Sequence, residues 1–188
     1  PRRFGRPTVF VKVCGMTSFE HIDWAVEAGY SAVGIVMHAE SPRYCDVDKA
    51  RSLADYARGS IAVVGVALGI EELLGIEPSF DFVQLYRPAD IDNLIFAGDS
   101  IPAGLRMRRF MYDMSRGAGR FERPPDWVRE RSGEIILSGG LGCANVREVV
   151  REYMPFGVDV SSGVESSPGQ KDRKLMMDFI EEVRNGTC

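Results

Sequence analysis

The sequence predicts an α/β fold, a single-domain (β/α)8 barrel, on three observations. Short runs rich in Val and Ile alternate with helix-periodic stretches along most of the 188 residues, the pattern of βαβ units around a parallel sheet. The runs number eight, the strand count that closes such a barrel. Residue types suited to chemistry fall at strand tips, Cys14 after the first and Ser161-Ser162-Gly163 after the last. The C-terminal face is where such barrels carry their sites.

The strands are read as 9–14, 32–37, 61–67, 82–85, 102–107, 109–113, 134–138 and 158–161, with residues 1–8 as an N-terminal arm bearing Arg2, Arg3 and Arg6. The barrel then occupies 9–188. Thr17-x-x-Glu20 reads as a capping box ahead of Ile22, Ala25, Val26 and Ala28 on one helical face. Asp46 caps the next stripe, Val47, Ala50, Leu53, Ala54 and Ala57. Pro124-Pro125-Asp126 is a stop followed by a cap, opening a helix at Trp127. Val146, Val149, Val150 and Tyr153 form another stripe; Leu175, Phe179, Ile180 and Val183 form the last, closed by Asn185-Gly186. One link resists the scheme. Parallel neighbours need a crossover of roughly a dozen residues, yet the fifth and sixth runs are nearly contiguous. The connection is abbreviated, or one of the two runs is not a strand, or residues are missing between Met107 and Asp113; the intact motifs on both sides favour missing residues.

With 45% apolar residues the chain can bury one sizeable core. A net charge of −4, with Lys and Arg spread out, gives no field for a nucleic-acid backbone. No run approaches the roughly 20 apolar residues of a membrane span, and PRRFGRP is not followed by the apolar stretch of a secretory signal. A cytoplasmic protein is expected. Cys14, Cys45, Cys143 and Cys188 are scattered, with only His21 and His38 to join them, so neither a zinc site nor a disulfide framework is indicated. In a reducing compartment all four are free thiols.

Cys14 ends a β-branched strand before Gly15, which aims its thiol at the barrel mouth; the plainer reading is a small buried hydrophobe. A thiol, with an ordinary pKa of about 8.5, serves as a base if hydrogen bonds or positive charge favour the thiolate. Asp113 closes the run Phe110-Met111-Tyr112 ahead of a loop with Gly117 and Gly119, and serves as a general acid if desolvated; the plainer reading is a loop-capping Asp. Together, a thiol and a carboxylate on two strand tips are the proton carriers an isomerase needs. Gly139, Gly140 and Leu141 follow the seventh strand, and Ser162 and Gly163 the eighth; glycines and a helix start in the last two loops point to a phosphate cradle. Gly140-x-Gly142-x-x-Asn145 is too incomplete for a dinucleotide fingerprint. Arg43, in Ser41-Pro42-Arg43-Tyr44, can pair bidentately with a substrate carboxylate, or stand as an ordinary loop arginine. Asp159, inside the eighth strand, is a rival for the acid role if it points inward.

These residues resemble phosphoribosylanthranilate isomerases, which perform an Amadori rearrangement in tryptophan biosynthesis. The resemblance rests on KVCGMT at 12–17, SPRY at 41–44, VQL at 83–85, Asp113, SGGL at 138–141, and VDVSSGVE at 158–165 followed by PG-x-KD at 168–172. It implies Cys14 as general base and Asp113 as general acid. Arg43, at the anthranilate carboxylate, would bind substrate with Gln84 and Asp159, and the two glycine-bearing loops would hold the phosphate. It implies no metal and no organic cofactor, since the substrate nitrogen is the electron sink. The expected partners are a small phosphosugar substrate and, by association or fusion, other tryptophan-pathway enzymes. Three departures stand out: Tyr86-Arg87 replaces the family's usual His-Gly, Arg116-Gly117-Ala118-Gly119-Arg120 replaces Gly-Gly-x-Gly-Lys, and the link before Arg109 is short. The rivals are a histidine-pathway or dual-substrate isomerase, against which the thiol speaks, and a non-catalytic barrel that binds a phosphorylated ligand.

Overall fold

A computed structural model describes residues 9–114 and 120–187. The expected arm at 1–8, the glycine-bearing stretch 115–119 and Cys188 lie outside the described residues. Eight parallel strands close into a barrel in chain order: β1 (Phe10–Cys14), β2 (Ala32–Val36), β3 (Ala62–Ala67), β4 (Phe82–Leu85), β5 (Leu94–Gly98), β6 (Arg109–Asp113), β7 (Ile135–Ser138) and β8 (Gly157–Val160). β8 returns to β1 with Lys12 beside Asp159 and Val13 beside Val160. A short antiparallel pair, β9 (Glu165–Ser167) and β10 (Gln170–Lys171), follows the barrel. Among the described residues five α-helices clad it: α1 (Phe19–Ala28), α2 (Val47–Ala57), α3 (Asp126–Glu130), α4 (Val146–Tyr153) and α5 (Arg173–Gly186). None is long and apolar enough to cross a membrane.

Side-chain alternation along each strand sorts the residues into two layers. Val11, Val13, Val33, Ile35, Val63 and Leu137 face outward into the helix-covered core. Cys14, Ala32, Val36, Val64, Val66, Ile95, Ala97, Met111 and Ile136 fill the interior. At the N-terminal end Phe10 stacks on Phe156 with centroids 5.7 Å apart, and the Arg109 guanidinium lies 3.8 Å from the Phe156 ring centroid. That end is plugged with rings, and the polar residues of the interior gather toward the other.

The fifth strand corrects the sequence expectation. It is Leu94–Gly98, not 102–107, and no gap lies before Arg109: the chain runs from β5 through 99–108 to β6 without a helix. The connection is abbreviated, and the run at 102–107 is not a strand. Its apolar residues do other work, since Leu105 and Met107, with Ile101, pack on the outer core where a helix would lie. Pro102 and the left-handed Gly104 (φ +73°) are the signals against a strand there. Phe96, Phe110 and Trp127 continue the cover, with centroid separations of 6.3 and 6.1 Å. Residues 86–93, between β4 and β5, likewise contain no helix, and β3 leads only into 3₁₀ turns at Ile70–Leu73 and Glu77–Ser79.

Three helix ends also differ from expectation. Ser18, not Thr17, caps α1 by accepting from His21 N, while the Thr17 hydroxyl donates to Gly169 O at 2.6 Å. α3 begins at Asp126 with no side-chain cap. Gly186 is still helical, and its lack of a side chain lets α5 approach α4, because a Cβ there would lie 2.8 Å from Arg147 O. Asp46 does cap α2, accepting from Lys49 N at 2.9 Å.

Gly65 in β3 shows how tightly the outer layer is filled: a Cβ there would lie 2.3 Å from Phe80 Cδ2. Gly65→Ala is therefore expected to destabilise the fold by about 1–3 kcal/mol through overpacking, seen as a lower urea midpoint. An unchanged midpoint would show that the Phe80 ring yields freely.

Candidate active site

A cavity of ≈ 630 Å³ opens at the C-terminal ends of the strands, and Cys14, Arg43, Gln84, Tyr86, Asp113 and Asp159 share its wall with the loops after β7 and β8. A second concavity, of ≈ 640 Å³, lies along the outer face of α4 among Arg147, Glu148, Arg151 and Glu152, away from every strand tip. The first is where the fold places chemistry.

β1 sends Phe10, Lys12 and Cys14 inward by its period of two. Lys12 is wholly buried, and its ammonium donates to Asp159 Oδ1 at 2.8 Å; Ser138 Oγ donates to Asp159 Oδ2 at 3.0 Å. Burial works against the Lys12 charge, but Asp159 and then Cys14 outweigh it and hold Lys12 above its ordinary pKa. Burial pushes the Cys14 thiol up; the Lys12 and Lys171 charges pull it back, Asp159 opposes them, and the balance remains above the ordinary value. Space for this pair comes from β2, because a Cβ on Gly34 would lie 2.9 Å from Cys14 Sγ and 3.1 Å from Lys12 Nζ.

Across the cavity Asp113 ends β6, buried, and accepts a hydrogen bond from the Tyr86 hydroxyl at 3.0 Å to Oδ2. Gln84 is buried one pleat below Tyr86 on β4, and its Oε1 has no hydrogen-bond partner among the described residues.

Arg43 reaches the cavity from the loop after β2. Its Nε and Nη2 grip Glu165 at 2.8 and 2.7 Å, and Lys171 Nζ reaches the same carboxylate at 2.7 Å while also donating to Ser161 O. Burial pushes Glu165 up, but the Arg43 hydrogen bonds and the Lys171 charge reverse this and hold it below its ordinary value. Lys171 is pushed down by its burial. The Arg43 stem crosses Gly15, where only glycine fits: its φ is +86°, and a Cβ there would lie 2.4 Å from Arg43 Cδ.

The loops after β7 and β8 form the remaining wall. Gly139 and Gly140 have φ of +98° and +65°, and Asn145 braces the turn by accepting from Gly142 N and donating to Gly140 O, each at 2.9 Å. Leu141 keeps its side chain in the core, so its backbone is what it offers the cavity. Ser162 lines the cavity; Gly163 instead lets the two loops touch, since a Cβ there would lie 2.0 Å from Leu141 O. Ser161 Oγ donates to Cys14 O at 3.1 Å, fastening the last strand tip to the first.

All the sequence-derived site residues except Gly163 thus line one cavity. Sequence reasoning assigned no role to Lys12, Tyr86, Ser138, Glu165 or Lys171. Each lies inside or beside one of the motifs, and for Lys12 the available signal was a charge in the apolar run Val11-Lys12-Val13. Of the cysteines, Cys14, Cys45 and Cys143 are free thiols.

The family model for N-(5'-phosphoribosyl)anthranilate isomerase matches residues 123–182. The N-(5'-phosphoribosyl)anthranilate isomerase of Geobacter sp. (strain M21) is 34% identical to the chain, covering 93% of it and 97% of the relative. Among solved structures, TrpF from Jonesia denitrificans superposes with a TM-score of 0.82 at 27% identity, covering 96% of this chain and 98% of that one. A phosphoribosylanthranilate isomerase in complex with reduced 1-(o-carboxyphenylamino)-1-deoxyribulose 5-phosphate has a TM-score of 0.72 at 29% identity, covering 94% and 98%.

The Lys12 network can be tested for both stability and thiol control. Breaking the buried pair with Asp159→Ala is expected to cost about 3–5 kcal/mol, most of it recovered when Lys12→Met is added; chemical denaturation of the single and double variants checks this. Alkylation of Cys14, followed by peptide mass, is expected to titrate above the ordinary thiol value of about 8.5. In Lys12→Met the midpoint moves higher still, because a cation that favours the thiolate is gone; an unmoved midpoint would remove Lys12 from control of the thiol.

Proposed function

The chain belongs to the phosphoribosylanthranilate isomerase family, and we propose that it converts N-(5'-phosphoribosyl)anthranilate to 1-(2-carboxyphenylamino)-1-deoxyribulose 5-phosphate with Cys14 as general base and Asp113 as general acid. The observation that carries this reading is the shared cavity: a thiol beside a buried ammonium on one wall, a buried carboxyl on another, and a glycine-lined turn at the rim.

Asp113, as the acid, gives a proton to the ribose ring oxygen. The bond from that oxygen to C1 breaks, and the anthranilate nitrogen lone pair closes a C1=N iminium. Cys14, as thiolate, takes the proton from C2; the C–H electron pair becomes the C1=C2 bond and the iminium π pair returns to nitrogen. Proton return to C1 and loss of the C2 hydroxyl proton give the aminoketose, with no atom gained or lost. Burial keeps the resting thiol protonated, and Lys12 is the charge that makes the thiolate reachable.

Positioning follows from the same wall. The backbone N–H groups of the turn at Gly139, Gly140 and Leu141, with Ser162, take the phosphate, and Gly163 brings the two loops together to form that cradle. Arg43 takes the anthranilate carboxylate; Glu165 holds its Nε and Nη2, which fixes the guanidinium plane. Gln84 presents an unpartnered acceptor to a sugar hydroxyl. Asp159 acts on substrate through Lys12 and Cys14, and its pairing with Lys12 and Ser138 makes it a weaker candidate for the acid than Asp113.

Anthranilate derivatives fluoresce, so turnover is read directly. Cys14→Ser and Asp113→Asn are each expected to lower kcat by roughly a hundred- to ten-thousandfold with circular dichroism unchanged. Turnover at the parent rate in either variant would strike that residue from the mechanism.

A further inference from the structure

We propose that Tyr86 is a positioning residue for Asp113, holding its carboxyl in the cavity for proton transfer. This rests on the isomerase reading above and on Asp113 as its acid. The Tyr86 hydroxyl donates to Asp113 Oδ2 at 3.0 Å. When the proton leaves, the same hydrogen bond stabilises the carboxylate that forms.

The phenol is built to hold this role. Tyr86 follows β4, and its backbone N–H and that of Arg87 both donate to Leu68 O, at 3.2 and 2.8 Å. The Arg87 guanidinium turns away from the cavity to Glu71 and Glu72. Glu72 accepts from Leu68 N and Gly69 N at 3.0 and 3.2 Å, and His38 Nδ1 lies 2.8 Å from its other oxygen. The Tyr86-Arg87 pair thus works as a unit, one side chain anchoring the loop and the other reaching inward. Burial above all pushes the Tyr86 hydroxyl well above its ordinary pKa, so it remains a donor across the neutral range.

The test is a double-mutant cycle on the whole chain, followed by phosphoribosylanthranilate fluorescence: parent, Tyr86→Phe, Asp113→Asn and the double variant. Tyr86→Phe is expected to lower kcat roughly tenfold or more with KM within about twofold. The double variant should match Asp113→Asn alone, because Tyr86 acts through that carboxyl. Parent kcat in Tyr86→Phe, a change confined to KM, or a further full loss in the double variant each overturns the proposal. Should Tyr86→Phe fail to fold, Tyr86→His keeps a donor: kcat within tenfold of the parent supports the proposal, and a deeper loss overturns it. A parent chain without turnover overturns the isomerase reading, and parent-level turnover in Asp113→Asn overturns the acid assignment; either removes this proposal with it.

Discussion

A lysine with no exposed surface lies inside the barrel, and everything at the mouth is arranged around it. A buried ammonium needs a partner of opposite charge, and Asp159 supplies it, its other oxygen accepting from Ser138. The pair spans the seam between β1 and β8, where Lys12 and Asp159 are register partners, so the same contact that tolerates the charges also fixes how the barrel closes. A slip of β1 by one residue would turn Lys12 outward into the apolar core and leave Asp159 inside without its cation. Stability and chemistry are therefore coupled here: the cation that steadies the seam is the one that bears on the Cys14 thiol.

The rest of the mouth repeats this arrangement with different residues. Glu165, nearly enclosed, is shared by Arg43 and Lys171. Lys171 is in turn held by Ser161 O, and Ser161 is bound to the backbone of Cys14. A chain of polar contacts thus runs from the loop after β2, through the hairpin after β8, back to the strand that carries the thiol. Glu165 fixes the Arg43 guanidinium, so under the proposed function less ordering is left for a bound carboxylate to bring about.

Seven of the eight strands were legible because a parallel barrel strand is an apolar run bounded by turn residues, and such runs survive without any knowledge of partners. The fifth was not, because two apolar runs competed. Leu94-Ile95-Phe96-Ala97 is the strand, and Ile101, Leu105 and Met107 are the cover that replaces a helix. Hydrophobicity records burial, and the apolar side chains of one segment are buried while those of the other are partly so; only Pro102 and Gly104 told them apart. The site was legible where a residue type is rare at a strand tip, as with Cys14 and Asp113. Lys12, Glu165 and Lys171 were not, since a charge in sequence reads as surface until a partner from a distant strand is known. Tyr86 was noticed as a departure, but its bond to Asp113 joins β4 to β6 and exists only in three dimensions.

The sparse cladding after β3, β4 and β5 divides the barrel into unequal halves. β1, β2 and β8 lie under α1, α2, α4 and α5, whereas β4 and β5 are backed by loops, 3₁₀ turns and a few apolar side chains. The thiol thus stands on a stiff double wall, and the Tyr86-Asp113 pair faces it from a thinner one. The two walls of the cavity therefore differ in what backs them, regular helices behind the sulfur and loops with 3₁₀ turns behind the phenol.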